Sequence, residues 1–458
     1  MTEAAVKWGG PGEDYRLSRI NRTGSRAEIH VDAPSPDNAA PIWQTPKAVR
    51  VVPWFEIVMV AIGVAGIIYF MVYAMDADGL TTAVMTLVAV VPLLIVMSAM
   101  VFIDRWEPEP VKMKIIAFLW GGGVATVSSM IINTALMTNT ALVIGDVQKA
   151  QAIAATFVAP VVEETFKGVG VLVIILARRT SINSLLDGVV YGGIVAAGFM
   201  FVEDIQYFVR YGSSGTGSLV TIFVMRGLLS PFLHSMATSL TGFAMAWGAI
   251  RAKRAWSRIL VFLAGWGAAM LVHGLWNSMG SDGQLATLLK MYLFIQVPLF
   301  GTWLTALIRA SNREAETIKK GLVPYVRTGW ILPAEVSMVT DRGKRKAARK
   351  WVARGGAPAR KAMRKFMNEL ASLGLDQSLM TRVGPDPARI EEDRRLLTQA
   401  AEHRAEFLRL TAIASDQTAV AGAVEGDGQM MVAGEETGGG GRPGARGQMD
   451  RGRAHGPT

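Results

Sequence analysis

Residues 80–103 read LTTAVMTLVAVVPLLIVMSAMVFI, a stretch of 24 residues without one charged side chain. About 20 consecutive apolar residues are enough for an α-helix to cross the hydrocarbon core of a bilayer. In lipid every backbone polar group must be satisfied internally, which a helix achieves within a single segment. The stretch therefore predicts a transmembrane helix.

Seven more segments have the length and apolar content of a membrane span. They are predicted at 57–75, 115–137, 150–176, 188–209, 218–250, 259–279 and 291–308. Together with 80–103 they predict an all-α fold, a polytopic membrane helix bundle of about eight transmembrane helices. Gly121-Gly122-Gly123, in the third helix, predicts a place of close helix packing, because small residues let two backbones approach.

The composition of the whole chain agrees with this class. Of 458 residues, 51% are hydrophobic and only 18% are charged, whereas a soluble domain carries about 25% charged residues. The chain has no cysteine, which excludes a disulfide-stapled secreted domain, a cysteine-ligated metal site and a cysteine nucleophile. Its net charge is +10, and the polar residues are concentrated towards the two ends.

Lysine and arginine are unevenly distributed over the loops between these helices. They cluster before the first helix, between the second and third, and after the fourth, sixth and eighth, while the other loops have almost none. Cytoplasmic loops of membrane proteins carry the excess of Lys and Arg. The distribution predicts a multi-pass protein of the cell membrane with both termini in the cytosol.

The two ends are predicted to differ from each other. Residues 1–53 are rich in Pro, Gly, Asp and Ser and predict a disordered cytosolic arm without a signal peptide. Residues 309–415 carry 22 Lys and Arg against 12 Asp and Glu and predict a basic cytosolic helical region. This region is either a pair of solvated helices or a surface that contacts the anionic inner leaflet, which attracts each nearby basic residue by about 1 kcal/mol. Residues 416–458 predict a disordered, Gly-rich tail.

Ionisable residues inside the membrane are concentrated on predicted helices four to seven. A charged side chain at the centre of a span costs roughly 2.5–3.5 kcal/mol on insertion scales, so such residues usually face the bundle interior and serve a function. The residues in question, with one amide, are Glu163, Glu164, Lys167, Glu203, Asp204, Arg226, His234, His273 and Asn277. A buried ion pair that only orders the bundle is the structural alternative.

On the fourth helix, Glu163 and Lys167 are four residues apart and therefore share a face. Glu164 points about 100° away from them. One carboxylate can pair with Lys167 while the other stays available for chemistry, so both Glu163 and Glu164 are candidates for a general base.

Positions along the four helices predict that the acids and imidazoles meet. At 1.5 Å per residue, Glu203 and His273 lie at similar depths near the outer ends of their helices, and Glu163 and His234 lie deeper. All four can converge between the midplane and the outer leaflet. Because these groups need solvation, we expect a water-filled pocket that opens outward.

Such a site favours hydrolysis, in one of two versions that the residues leave open. In the first, a glutamate takes a proton from water, and His and Asn side chains donate hydrogen bonds to the oxyanion. In the second, a divalent metal, with zinc the best fit to the ligand types, binds to Glu163, Glu203, His234 and His273 and lowers the pKa of its water. No H-E-x-x-H element is present, and the cofactor stays undecided between none and a divalent metal.

Several elements of these helices resemble motifs of the PrsW family of intramembrane proteases. Glu163-Glu164-Thr165-Phe166-Lys167 resembles its E-E-x-x-K motif, and residues 199–203 resemble its F-x-x-x-E element. Arg226 with His234, and residues 273–277, are similar to its later motifs, and Asp187-Gly188 begins a further similar element. The resemblance covers residues 54–308, which it implies to be a transmembrane protease domain.

The resemblance implies a helical fold shared with the CAAX prenyl endopeptidase and bacteriocin-immunity superfamily. Glu203 stands where the prenyl endopeptidases have histidine, which favours the PrsW branch. By analogy, Glu163 and Glu164 would activate water, Glu203, His234 and His273 would complete the centre, and Asn277 would support an oxyanion. Lys167, Arg226 and Asp187 would be supporting residues. The substrate would be a membrane-anchored protein, with an anti-sigma factor as the example that the family offers.

Two functions of other classes stay open at this point. A proton-coupled transporter or channel could use the buried Glu, His and Arg as a relay, although the first three helices lack polar residues and no repeated half is visible. A non-catalytic scaffold could recruit a partner through the basic tail. No specific nucleic acid is expected as a partner.

Overall fold

The computed structural model describes residues 54–252, 254–279 and 285–432. Over these ranges the backbone is predominantly helical and contains no β-strand, which confirms the all-α class. The predicted N-terminal arm and residues 433–458 of the predicted tail lie outside the described residues.

Eleven helices make up the apolar part of the chain. They are α1 (Trp54–Ile103), α2 (Val111–Leu119), α3 (Thr126–Ile144), α4 (Val147–Ile153), α5 (Ala159–Ala177), α6 (Leu185–Gly212), α7 (Thr216–Phe223), α8 (Leu233–Ile250), α9 (Ala255–Ser278), α10 (Leu285–Met291) and α11 (Val297–Gly321).

Seven helical stretches in this part are long and apolar enough to cross a membrane, so the chain is a multi-pass membrane protein. They are Trp54–Asp76, Asp78–Ile103, Val111–Ile144, Leu185–Gly212, Thr216–Ile250, Ala255–Ser278 and Ala286–Arg327. The remaining predicted span is the fourth along the chain, 150–176. It lies in the helical run from α4 to α5 but carries Glu163, Glu164 and Lys167, which lower its hydropathy. The backbone between the first two spans breaks at Asp78 (φ −164°, ψ 97°).

Short π-helical segments interrupt the runs that lead to the polar residues. They lie at Trp120–Ala125 before α3, Ala154–Val158 before α5 and Val224–Leu229 after α7. Each shifts the rotational register of the helix that follows it, and such segments are frequent at functional sites. The predicted span 218–250 corresponds to the stretch Thr216–Ile250, but its helix is interrupted, because it stops at Leu229 and restarts at Leu233. Pro231, in the gap, lacks the N–H that would continue the helical ladder.

The predicted glycine contact is present, and it sets the middle of the bundle. A Cβ on Gly121 would lie 1.8 Å from the carbonyl oxygen of Val195 in α6, and one on Gly123 would lie 2.0 Å from that of Gly63 in α1. Only glycine permits this approach on both sides. The segment Trp120–Ala125 therefore packs closely between α1 and α6. Most residues of α6 are buried.

The C-terminal region is a folded helical unit rather than a pair of solvated helices. It contains α12 (Val323–Arg327), α13 (Pro333–Thr340), α14 (Arg342–Val352), α15 (Gly356–Val383) and α16 (Pro387–Val432). These helices and the end of α11 enclose a hydrophobic core of their own, in which Ile318, Phe366, Leu370 and Phe407 are buried. Helix α16 continues beyond residue 416, where the disordered tail was predicted to begin, and no proline follows Pro387 until Pro443.

Candidate active site

The predicted polar residues of four helical runs converge inside the bundle. Glu163, Glu164 and Lys167 come from α5, Glu203 and Asp204 from α6, Arg226 and His234 from the broken run of α7 and α8, and His273 from α9. Each of these eight residues has a side chain that is at most 14% exposed. The polar groups are therefore gathered in one network and are not scattered over lipid-facing surfaces.

Glu164 is the fully buried anchor of this network. Its Oε1 lies 2.9 Å from Nζ of Lys167 and 3.0 Å from Nδ1 of His273, and its Oε2 accepts a hydrogen bond of 2.8 Å from Thr238. Its side chain is 0% exposed. With both oxygens occupied, Glu164 is placed to orient Lys167 and His273 and not to meet a substrate.

Glu163, unlike Glu164, faces open space, as does Glu203, which is paired with Arg226. Glu163 lines a cavity of about 290 Å³ between α3, α5 and α6. Its Oε2 lies 3.5 Å from Nζ of Lys167 and 3.7 Å from Nε2 of His273, while its Oε1 accepts a hydrogen bond of 3.3 Å from Nδ2 of Asn133. The sequence left Glu163 and Glu164 equivalent, and the structure distinguishes them: Lys167 lies closer to Glu164.

His234 is held between two partners. Its Nδ1 lies 3.0 Å from Nζ of Lys167, and its Nε2 lies 2.9 Å from Oε2 of Glu203. An ammonium group only donates, so Nδ1 of His234 accepts and the proton on Nε2 points to Glu203. The rings of His234 and His273 are 4.9 Å apart and perpendicular, and Lys167 Nζ stacks 3.8 Å above the ring of Phe199.

Arg226 neutralises the two acids of α6. Its Nη2 donates to Oε2 of Glu203 at 2.6 Å and its Nε donates to Oδ1 of Asp204 at 2.8 Å. The guanidinium also lies 4.1 Å from the ring of Tyr207. Asp204 is fully buried next to Arg226. The π-helical segment that carries Arg226 therefore supplies the positive charge that keeps Glu203 next to His234.

Three of the four predicted metal ligands are close enough to share an ion. One ligand atom each from Glu163, His234 and His273 lies within 4.8 Å of the other two. A carboxylate and two imidazoles are a donor set that zinc accepts. Metal-ligating histidines usually bond a carboxylate through their second ring nitrogen. His273 has such a partner, because its Nδ1 lies 3.0 Å from Oε1 of Glu164. The residues thus fit a divalent metal, which stays optional, and Glu203 stands beside them as the partner of His234.

Two predicted residues have other contacts. Asn277 donates its Nδ2 to the carbonyl oxygen of Ala155 at 2.8 Å, a carbonyl that the missing N–H of Pro160 leaves without its helical partner. Asp187 accepts hydrogen bonds from the backbone N–H groups of Asn183 and Ser184 at the start of α6. It is 16 residues from Glu203, about 24 Å along the helix.

Sequence reasoning missed two residues of the site, Asn133 and Thr238. Thr238 is four residues after His234 and therefore on the same helix face, a spacing that could have indicated it. Asn133 lies on α3, a helix without ionisable residues. Only the packing of α3 against α5 brings it to Glu163.

A comparison with protein families gives one finding. The family described as PrsW family intramembrane metalloprotease matches residues 109–303, a range that contains every residue of the network above. A match to this family implies peptide hydrolase activity. Comparisons with curated proteins and with solved structures gave no match. The wider relationship to the CAAX and bacteriocin-immunity proteins stays a prediction.

Proposed function

We propose, from the match of residues 109–303 to the PrsW intramembrane metalloproteases, that the chain is an intramembrane endopeptidase that cleaves a membrane-anchored protein. The observation that carries the proposal is the position of Glu163. This carboxylate lines a cavity inside a helix bundle, with His273 and Lys167 within 4 Å of its oxygen. An intramembrane protease acts on a membrane protein within the bilayer, so the substrate class follows from the same premise.

In the proposed reaction Glu163 is the general base. It takes a proton from a water molecule in the cavity, and the oxygen of that water forms a bond with the carbonyl carbon of the substrate peptide. The tetrahedral intermediate collapses when the C–N bond breaks, and Glu163 returns its proton to the leaving nitrogen. A base must reach its proton directly or through one water, and the open side of Glu163 offers that access.

The other residues of the network hold the base and stabilise charge. Glu164 fixes the ring of His273, and Glu203, itself held by Arg226, fixes the ring of His234. Donors preorganised at the place where charge develops are a large term in catalysis. Near Glu163 such groups are Nδ2 of Asn133, Nζ of Lys167 and the ring of His273. In the alternative with a divalent metal, Glu163, His234 and His273 would hold the ion, which would supply Lewis-acid activation of the attacking water, and Glu163 would then be a ligand instead of the free base.

The finer assignments rest on the resemblance of the motifs. They are an anti-sigma factor as substrate, a place in the cell membrane with both termini cytosolic, and a supporting role for Asn277 at the oxyanion. A proton relay in a transporter is not favoured, because Glu163, Lys167, His234 and His273 form one compact cluster beside the cavity that Glu163 lines.

The test compares wild type with Glu163→Gln, which keeps the shape of the side chain and removes the base. Membranes that contain either protein are analysed by mass-spectrometric mapping of protein termini. We expect new termini inside transmembrane segments with wild type and a loss of at least about 100-fold with Glu163→Gln, in the range typical for a general base. Glu316→Gln, the same change at an exposed position, is the matched control and retains cleavage. Equal cleavage by Glu163→Gln and wild type would disprove the proposal.

A further inference from the structure

The cavity beside Glu163 has a polar side that the reaction above does not use. Ser129 and Asn133 line it from α3, one helical turn apart; we call this pair the α3 wall. Oγ of Ser129 and Oδ1 of Asn133 are buried and have no hydrogen-bond partner among the described residues. Ser129 is 1% exposed.

Buried polar atoms in native proteins are nearly always hydrogen-bonded, and each exception requires an explanation. The α3 wall combines two such exceptions within one turn of one helix, beside the carboxylate that the proposed function uses. Nδ2 of Asn133 is engaged with Oε1 of Glu163, so this amide already faces the reacting group. The unpartnered oxygens indicate a ligand that brings its own hydrogen-bonding groups to the cavity.

The reaction itself limits the form of that ligand. In an α-helix the peptide C=O and N–H groups are engaged in i→i−4 hydrogen bonds and are surrounded by side chains. A water molecule activated by Glu163 can therefore reach a peptide carbonyl carbon only where the substrate helix unwinds.

Unwinding creates a chemical need that the α3 wall can meet. Backbone N–H and C=O groups released from a helix inside a membrane have no water to bond and must find other partners. An amide oxygen accepts a hydrogen bond and a hydroxyl both donates and accepts. Glu163, Glu203 and Arg210 also line the cavity, and the two carboxylates outnumber the one cation, which disfavours an anionic ligand such as a lipid phosphate.

On the basis of the proposed function, we propose that the α3 wall binds the unwound backbone of the substrate's membrane span next to the scissile peptide bond. Oδ1 of Asn133 accepts a backbone N–H, and the hydroxyl of Ser129 bonds a neighbouring backbone group after a small rotation towards the cavity. Because the same Asn133 side chain holds Glu163, the wall also sets the distance between the bound peptide and the base.

The first experiment separates substrate binding from folding. Because the Ser129 hydroxyl has no partner in the free enzyme, Ser129→Ala should not lower the thermal stability of the full-length protein. It should lower kcat/KM about three- to tenfold, mainly through KM, as expected for a lost hydrogen bond to bound substrate. Asn133→Leu should lower both kcat and kcat/KM, and Asn133→Gln should restore part of the loss. The control is Thr138→Val on the exposed side of α3, where the hydroxyl bonds only its own helix.

The second experiment measures binding without cleavage. Since the chain has no cysteine, Thr134→Cys places a single thiol at the cavity and Thr138→Cys places one away from it, both in Glu163→Gln protein. The probe is a single-span reporter with a Leu/Ala segment of about 20 residues and one cysteine at its centre. Disulfide formation is expected from position 134 and not from 138, and adding Ser129→Ala should reduce its yield.

Equal yields with and without Ser129→Ala and Asn133→Leu would overturn the role of the α3 wall, as would the absence of any disulfide at position 134. Neither result bears on the comparison of wild type with Glu163→Gln by terminus mapping, so failure of the wall and failure of the proposed function are distinguishable.

Discussion

Two clusters of buried acids lie in this protein, and they are neutralised in different ways. In the site inside the bundle, Glu164 and Glu203 each lie within 3 Å of a cationic nitrogen, from Lys167 and Arg226. At the junction with the C-terminal unit, Glu107 and Glu109 accept side-chain hydrogen bonds from neutral groups among the described residues. The donors are Asn183 and Ser372 for Glu107 and Tyr191 for Glu109.

The difference between the two clusters concerns the charge of their carboxyl groups. Burial and neighbouring acids raise the pKa of both Glu107 and Glu109 well above the ordinary value of 4.5, which favours the protonated, neutral form of these carboxyls. The site instead retains ionised groups by pairing them. Pairing preserves charge in the site and at the Arg389–Asp376 pair of the junction, whereas the side-chain hydrogen bonds of Glu107 and Glu109 come from neutral groups.

Removing a cation should have its largest effect in the site. Lys167→Met leaves Glu164 buried and facing an apolar chain, and breaking a buried ion pair from one side typically costs about 3–5 kcal/mol. We expect a markedly lower unfolding midpoint in detergent and no detectable cleavage. Lys114→Met, at the more exposed pair with Asp104, is the comparison and should cost less. An unchanged midpoint for Lys167→Met would show that the site network does not depend on pairing.

Arg389 is the main cation at the junction, and its loss should have an intermediate effect. From the first turn of α16 its guanidinium donates to Asp376 and to the carbonyl oxygens of Arg179, Thr180 and Ile182. These carbonyls directly follow α5, the helix that carries Glu163. Arg389→Ala leaves buried Asp376 without its cation and should cost about 3–5 kcal/mol, as for Lys167→Met, but its effect on cleavage should be intermediate because Arg389 lies outside the site.

The measurement for Arg389 is hydrogen exchange. Faster exchange is expected in the segment after α5 and in the first turns of α16, with a smaller loss of cleavage than Lys167→Met produces. Arg395→Ala removes an arginine from an exposed pair six residues later on the same helix and should change neither readout. Equal exchange in both variants would remove Arg389 as a link between the C-terminal unit and the site helix.

The same contrast explains what could be predicted from the sequence. Apolar length alone predicts spans such as 80–103, since lipid leaves the backbone few choices. Helical spacing and depth predicted that Glu163, Glu203, His234 and His273 converge, because ionisable groups inside a membrane usually face the bundle interior and pair with one another. The sequence could not separate Glu163 from Glu164, because that depends on where His273 and Thr238 arrive from two other helices.

The parts that escaped sequence reasoning are set by packing between distant segments. The break at Pro231 and the π-helical segments turn side chains by local register shifts that apolar periodicity does not reveal. The core of the C-terminal unit was missed because its helices are rich in charge, and their apolar faces became visible only when Phe366 and Phe407 packed together. The hydrogen-bond partners of Glu107 and Glu109 come from segments far away in the sequence, at Asn183, Tyr191 and Ser372.

The smallest expected effect concerns the protons of the junction. A carboxyl whose pKa is raised by folding stabilises the fold fully below its ordinary pKa, and this contribution is lost as the pH rises through the raised value. Docking of the C-terminal unit should therefore weaken with rising pH as Glu107 and Glu109 ionise. Glu109→Gln imitates the protonated carboxyl and should reduce this pH dependence, while Glu316→Gln at the exposed surface should not. The pH dependence of docking is measured by hydrogen exchange in residues 104–110, corrected for intrinsic exchange rates and followed over pH. If Glu109→Gln showed a pH response as steep as that of wild type, the junction would not be held by a protonated Glu109.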